Sequence, residues 1–214
     1  MTGEVRHEGL QTAGPMPPDL DGRYFPSPTG VMLSRGAHGL GLYATRAFAA
    51  GEVIYGTDPY VIPADGRRYK ALVDVDGTRE LVEITDVHSV RYGDVRVLDI
   101  PGCFMNHSCA PTTYTLDELL DDGTPTGAYR QVALVDLRPR DQITCDYVLF
   151  DWDCDGHQFT CTCGSPDCYG EVAGFAALPS AVQASLAPRA SVDVIRLWKR
   201  ALAEQSEDDR GSSS

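Results

Sequence analysis

Short apolar runs separated by glycine and polar residues dominate most of the chain. From Gly30 to about Ile62 the runs VML, GLGLYA, EVIYG and YVI alternate with glycine. ALVDV, ELVEI and VRVLDI follow in residues 63–103, and AYRQVALVDL and QITCDYVLF continue the pattern. Runs of this length, bounded by turn residues, predict short β-strands joined by tight turns.

The C-terminal part of the sequence has a helical period instead. Residues 179–186 and 192–204 are predicted helices, and Ser191 is a candidate N-cap for the second. In that helix the apolar residues at helical spacing are Val194, Ile195, Leu197, Trp198, Ala201 and Leu202. The predicted fold class is therefore α+β and mostly β, with helices at the C-terminus.

Composition narrows the class of protein. The 214 residues are 43% hydrophobic and 23% charged, as in a soluble globular domain. No run of apolar residues is long enough to span a membrane, and no secretory signal is expected at the N-terminus. We therefore expect a cytoplasmic protein, or a nuclear one if the source is eukaryotic.

The net charge of −13 indicates which kinds of partner the protein can bind. Direct nucleic-acid binding is not expected, because phosphate contacts need a cationic face. An acidic surface would instead attract a cationic substrate such as a lysine-rich segment.

Cysteine spacing predicts a metal site. The seven cysteines are an odd number, and without an export signal a disulfide framework is a poor interpretation. Cys161, Cys163 and Cys168 form a C-x-C-x4-C run around a Gly-Ser-Pro-Asp turn, which suits zinc. Tetrahedral zinc needs a fourth ligand, and the candidates are Cys154, His157 and the distant Cys109.

Three segments, in this order and followed by the cysteine run, resemble the SET-domain methyltransferase family with a post-SET zinc segment. The first is RGAHGLGLYA at residues 35–44 with AAGEVI at 49–54, and the second is FMNHSCAP at 104–111. The third is RPRDQITCDY at 138–147.

GLGLYA alone also fits a dinucleotide-binding G-x-G-x-x-A motif. We reject that interpretation because GEVIYG follows too soon for a crossover helix, and the rest of the chain lacks alternating strands and long helices.

The resemblance implies a fold and a division of the chain. The fold would be a SET-domain fold of short strands with a knot-like core. A loose leader over residues 1–27 would precede the SET domain at 28–152 and the post-SET zinc segment at 153–175. A helical extension at 176–206 and a disordered tail at 207–214 would follow.

The resemblance also implies binding residues for S-adenosylmethionine (SAM) and for zinc. SAM would be bound by Gly39, Leu40, Gly41, Asn106, His107 and Tyr147. Glycines at 39 and 41 would let the backbone approach the cofactor. Zn²⁺ would be bound by Cys109, Cys161, Cys163 and Cys168.

Tyr147 is the predicted catalytic residue, which would orient the substrate amine and line the channel without acting as the general base. Cys145 stands where the family has a phenylalanine or tyrosine that influences how many methyl groups are added, so a roomier pocket is expected. Phe150 and Trp152 are predicted aromatic walls that could hold a cationic amine.

Three functions follow from these residues. The leading one is SAM-dependent N-methylation of a lysine side chain in a protein or peptide. The second is methylation of a small amine or a peptide intermediate of a biosynthetic pathway, and the third is a non-catalytic SET-like binding module.

Overall fold

The computed structural model describes residues 20–57, 60–62, 68–92, 95–123 and 125–211. In these ranges the chain is mostly strand, so the α+β, mostly β class expected from the sequence is confirmed. The strands are β1 (Tyr24–Phe25), β2 (Val31–Gly36), β3 (Gly39–Ala44), β4 (Val53–Thr57), β5 (Tyr60–Ile62), β6 (Tyr69–Val75), β7 (Thr78–Ile84), β8 (Val90–Tyr92), β9 (Val95–Leu98), β10 (Asn106–His107), β11 (Thr113–Leu119), β12 (Pro125–Ala133), β13 (Gln142–Cys145), β14 (Phe159–Thr160) and β15 (Glu171–Val172). The helices are α1 (Ser180–Leu186) and α2 (Val192–Gly211).

A seven-stranded sheet holds most of the first half of the described chain. Its order is β1-β6-β2-β3-β13-β10, and β7 pairs with β6. Between β6 and β7 the two-residue turn is Asp76-Gly77, and both residues have positive φ, 50° and 79°. Asp-Gly is the sequence that such a tight hairpin turn favours, so this hairpin is encoded locally.

Strand β13 joins parts of the chain that are far apart in sequence. It runs antiparallel to β3, with Ile143 opposite Leu42. On its other side it runs parallel to β10, with Asn106 opposite Thr144 and His107 opposite Cys145. The three segments that carry the family resemblance therefore lie side by side in one sheet.

Three smaller sheets surround this one. They have the orders β11-β12-β4, β5-β9-β8 and β14-β15. The first is built on the β11–β12 hairpin, and the last closes the cysteine-rich segment, with Phe159 opposite Val172. Residues from each of these sheets line the cavity that Cys145 of β13 also lines.

Two hydrophobic clusters stabilise the fold. The larger packs against the seven-stranded sheet and includes Leu33, Leu42 and Ile143, which have no exposed surface. The smaller attaches the C-terminal helices, with Phe175 fully buried between Trp152 and Trp198. The ring centroids of these tryptophans lie 6.2 and 5.9 Å from that of Phe175.

The ends of the chain differ from the sequence-based expectation. Leu20 and Phe25 are buried, and β1 pairs with β6, so the last part of the predicted loose leader is packed into the fold. The first 19 residues lie outside the described ranges. Helix α2 begins after Ser191, whose Oγ accepts the Val194 N–H at 3.3 Å, as predicted. It extends to Gly211, which gives helical backbone to the first five residues of the predicted disordered tail; residues 212–214 are not described.

Among the residues that the structure describes, no helix combines the length and hydrophobicity that a membrane crossing requires.

The core packing predicts the cost of truncating a central side chain. Leu33 in β2 is 0% exposed, whereas Leu81 in β7 is 55% exposed. Leu33→Ala should lower the free energy of unfolding by about 2–5 kcal/mol, because it leaves a cavity as well as losing burial. Leu81→Ala, the matched control, should change it by about 0.5 kcal/mol or less. Urea unfolding followed by circular dichroism measures both, and equal losses would contradict this assignment of the core.

Candidate active site

The glycine-rich strand β3 and strand β10 meet through a side-chain contact. Asn106 Nδ2 donates a hydrogen bond to the Leu40 carbonyl oxygen at 3.1 Å. A Cβ at position 41 would lie 2.8 Å from Asn106 Nδ2 and 2.7 Å from Gln142 Nε2. Gly39 has open space around it but a φ of +89°. A side chain at 41 would therefore displace the Asn106 and Gln142 amides, and the backbone conformation at 39 favours glycine. The structure brings Gly39, Leu40, Gly41 and Asn106 together.

His107 connects this region to strand β13. Its Nδ1 accepts the Tyr147 N–H at 3.2 Å, and its Nε2 lies 3.2 Å from Cys109 Sγ. Burial lowers the pKa of His107 to about 4, so the ring is neutral at pH 7. With Nδ1 acting as an acceptor, the proton is on Nε2 and points to the Cys109 sulfur.

Tyr147 is fixed by its own hydroxyl. Its Oη donates to the Met105 carbonyl oxygen at 2.7 Å. Burial first, and then the Cys145 and Cys103 side chains, raises the pKa of this phenol. The hydroxyl therefore stays protonated at neutral pH, and because its proton is used, the oxygen can only accept further hydrogen bonds.

A cavity of about 620 Å³ lies next to Tyr147 and Met105. Cys145 and Phe150, two of the predicted pocket residues, line it. Trp152, the third, stacks on Phe175 in the smaller hydrophobic cluster and is not part of the lining. The lining contains none of residues 39–41, 106 or 107, but it includes Met105, the neighbour of Asn106, and Tyr147, whose N–H bonds His107.

Several cavity residues lie outside the predictions made from the sequence. Phe159 lines the cavity, and its ring centroid lies 6.0 Å from that of Tyr147. Phe159 is therefore an aromatic wall of the cavity, which is the predicted place of Trp152. Its position two residues before Cys161 is the sequence signal that could have indicated it. Asp99 and Tyr129 also line the cavity, but no local motif marks them.

Four cysteines form a compact cluster. The Sγ atoms of Cys109, Cys161, Cys163 and Cys168 all lie within 4.8 Å of one another. Cys109 Sγ is 3.7 Å from Cys161 Sγ and 3.9 Å from Cys168 Sγ. Tetrahedral zinc with Zn–S bonds of about 2.3 Å requires sulfurs about 3.8 Å apart, so this set fits the ion. Cys154 and His157, the other fourth-ligand candidates, are not in the cluster.

Backbone N–H groups surround the cluster. Those of Tyr169 and Cys163 point to the sulfurs of Cys109 and Cys161, both at 3.4 Å. A hydrogen bond from the Ser165 backbone is the main cause that lowers the pKa of Cys163 to about 6. Donors of this kind stabilise thiolates, which are the form that binds metal.

A sequence profile of the SET domain matches residues 39–148, slightly more than half of the chain. The chain belongs to the SET-domain family. SET methyltransferases use SAM, and the protein is a SET-type methyltransferase.

Two further comparisons accompany this match. One matching solved structure is a Plasmodium falciparum protein provisionally named a histone methyltransferase, 16% identical, with a TM-score of 0.39. The alignment covers 55% of this chain and 96% of that chain. A search of curated proteins gave no match.

Asp146 is a buried carboxyl beside the SET-domain tyrosine. It accepts hydrogen bonds from the Tyr169 hydroxyl at 2.6 Å and from the Val148 N–H at 3.3 Å. Burial outweighs these bonds and raises its pKa to about 6. The folded state therefore binds a proton more tightly than the unfolded state, and ionising Asp146 costs stability as the pH rises through 6.

This shift predicts a pH-dependent difference between the wild type and Asp146→Asn, which cannot ionise. From pH 7.5 to pH 5.5 the wild type should gain about 1 kcal/mol of unfolding free energy relative to the variant. Parallel urea titrations at several pH values measure the difference. A difference independent of pH would show that burial does not perturb this carboxyl.

Proposed function

We propose that this SET-type methyltransferase uses SAM to methylate the amine of a lysine side chain in a protein substrate. The observation that carries the proposal is the part of the cavity wall formed by Met105 and Tyr147. Met105 directly precedes Asn106, which bonds the Leu40 carbonyl, and the Tyr147 N–H bonds His107. A methyl donor held by Leu40 and Asn106 would therefore lie close to an amine in the cavity.

Gly39, Leu40 and Gly41 would hold the cofactor together with Asn106, His107 and Tyr147. When bound, SAM supplies a methyl group on a sulfonium. The contribution of the chain is position, because the missing side chain at 41 lets Asn106 approach the Leu40 carbonyl and keeps this segment open to a ligand.

The amine must lose its charge before it can attack. A free lysine has a pKa of about 10.4, so it enters mostly as an ammonium without a lone pair. Removal from water in the cavity favours the neutral form. The Tyr147 oxygen would accept an amine N–H and so orient the lone pair towards the wall. Phe150 and Phe159 would contact the alkyl stem and the cation, and Cys145 leaves space beside the amine.

The overall charge supports a basic protein or peptide as the substrate. The net charge of −13 attracts lysine-rich segments and repels nucleic acids. We retain the small-amine substrate as a second candidate, because a cavity of about 620 Å³ is in the range of small-molecule sites.

We also propose that the four-cysteine cluster binds Zn²⁺ and stabilises the post-SET segment. Cys109 belongs to the segment that contains Asn106 and His107, and the other three cysteines belong to the segment that follows Phe159. The ion would therefore tie one wall of the cavity to the cofactor side, and its removal would affect folding and activity together.

The decisive experiment incubates the purified protein with methyl-labelled SAM and a mixture of lysine-containing proteins and small amines. Mass spectrometry should find label on protein lysines. Tyr147→Phe should lower the rate about 100-fold, because the amine is no longer oriented. SAM affinity should change less than about threefold, because the variant keeps the ring and the backbone of residue 147 and loses only the hydroxyl.

Tyr24→Phe is the control, since Tyr24 bonds Asp74 in the sheet and is not part of the cavity lining. Label confined to small molecules would replace the leading function with the second candidate. SAM binding without transfer to any amine would indicate the non-catalytic module.

The metal assignment predicts a contrast between two cysteine variants. Cys163→Ser should lose bound zinc and lower the thermal midpoint, because three thiolates hold the ion less tightly. Cys154→Ser, whose sulfur faces the Val172 carbonyl outside the cluster, should keep its zinc. Elemental analysis of the purified proteins measures both. Equal metal content in the two variants would refute the assignment.

A further inference from the structure

Asp99 is a buried carboxylate in the cavity wall. It is 8% exposed, and burial is the main cause that raises its pKa. Tyr129 Oη donates to its Oδ2 at 2.5 Å, and Thr57 Oγ1 donates to its Oδ1 at 2.8 Å. No cationic side chain in the described ranges forms an ion pair with it. The three hydroxyls that lower its pKa, those of Tyr129, Thr57 and Tyr55, are neutral, so an ionised Asp99 would keep an uncompensated charge.

The other charged groups of the lining already have partners. Arg96 is 5% exposed and pairs with Asp155, and its Nε donates to Ser89 Oγ at 2.8 Å. Asp117 Oδ2 accepts the Val192 N–H at 2.9 Å at the N-terminus of α2, which favours a negative charge, although burial and Asp193 still raise its pKa. Asp99 differs from Arg96, which has an ion-pair partner, and from Asp117, which lies at a helix N-terminus.

The turn that follows Asp99 leaves space for its carboxylate. A Cβ on Gly102 would lie 1.8 Å from Asp99 Oδ2, so the carboxylate occupies space that a side chain at 102 would take. The Asp99 carbonyl oxygen accepts the Cys103 N–H at 2.8 Å, and the Met105 N–H donates to the Gly102 carbonyl oxygen at 2.9 Å. One 3-10 turn, Gly102–Phe104, thus links Asp99 to the Met105 carbonyl that holds Tyr147.

A buried carboxylate without a cation loses hydration and gains no ion pair. A cation that enters the cavity would recover this loss. Cys145 also lines the cavity, and its small thiol provides no aromatic face for a cation.

We propose that Asp99, held by Tyr129 and Thr57 in the space beside Gly102, binds the ammonium group of the substrate in the cavity. The proposal deepens the proposed function and rests on it. The ligand chemistry is a primary ammonium on a flexible aliphatic stem, which either a protein lysine or a small alkylamine supplies.

The test uses n-butylammonium as a probe and 1-butanol as its neutral counterpart, titrated into the full chain and followed by NMR. Butylammonium should bind the wild type, and Asp99→Asn should weaken its binding at least about tenfold, the cost of one lost charge-assisted contact. Gly102→Ala should weaken it similarly by displacing the carboxylate. Butanol binding should change less than about twofold in either variant, since it makes no ion pair.

Asp117→Asn is the matched control, because it removes a cavity carboxylate that the N-terminus of α2 already partners. It should change butylammonium affinity less than about threefold, since the asparagine oxygen can still accept the Val192 N–H. If Asp99→Asn does not fold, as judged by its thermal midpoint, Thr57→Val and Tyr129→Phe provide the comparison, because each removes one donor. Equal butylammonium affinity in the wild type and the folded variants would overturn the proposal.

A methyl-transfer assay tests the Asp99 proposal and the proposed function separately. For a substrate that is methylated, Asp99→Asn should raise KM without lowering kcat, because Asp99 binds the ammonium but does not help it to lose its proton. An unchanged KM would overturn the inference. If no amine is methylated but butylammonium binding still depends on Asp99, the proposed function fails and the cation site stands. Label on protein lysines or on butylamine identifies which source supplies the ammonium.

Discussion

The parallel pairing of β10 with β13 is the constraint on which the rest of the site depends. Only two residue pairs form it, Asn106 with Thr144 and His107 with Cys145. Parallel strands cannot be joined by a tight turn, so these segments meet only after the β11–β12 hairpin between them has folded back. The pairing puts Tyr147 beyond the end of β13 and Cys109 beyond the end of β10, where each can contact His107.

His107 makes the two ends of this pairing interdependent. One ring nitrogen accepts the Tyr147 backbone N–H, and the other lies against the Cys109 sulfur. Since burial keeps the ring neutral, it can accept on one side and donate on the other without bringing a charge into the site. A proposed cofactor ligand thus also positions the backbone of the proposed catalytic residue and contacts a proposed zinc ligand. We expect that removing this ring would disturb all three features together.

The sequence predicted the parts of the site that short motifs encode. The contact of Asn106 with the Gly39–Gly41 segment and the convergence of four cysteines both follow from motif residues whose spacing is visible in the chain. Asp99 and Tyr129 could not be predicted, because they meet through the pairing of β12 with β4 and the turn after β9, and neither residue is in a recognisable motif. The place of Trp152 near the motif predicts a cavity residue, but its ring stacks on Phe175, a distant contact that no local pattern encodes. Long-range contacts also explain the end of the predicted leader. Leu20 and Phe25 are buried in the fold, and no local sequence pattern predicts this burial.

The cavity combines two features, a small thiol at Cys145 and a buried carboxyl at Asp99. By the resemblance to the family, Cys145 would stand where a phenylalanine or tyrosine is usual. An apolar replacement alone would leave a larger cavity with less attraction for a cation. In the proposed role, the carboxylate of Asp99 would supply attraction that a thiol cannot, and at longer range than an aromatic face because it would carry a full charge. A wall made of a small thiol and an oriented carboxylate would accept an ammonium without enclosing it tightly. This chain would then select its substrate by charge and leave the shape of the amine less restricted.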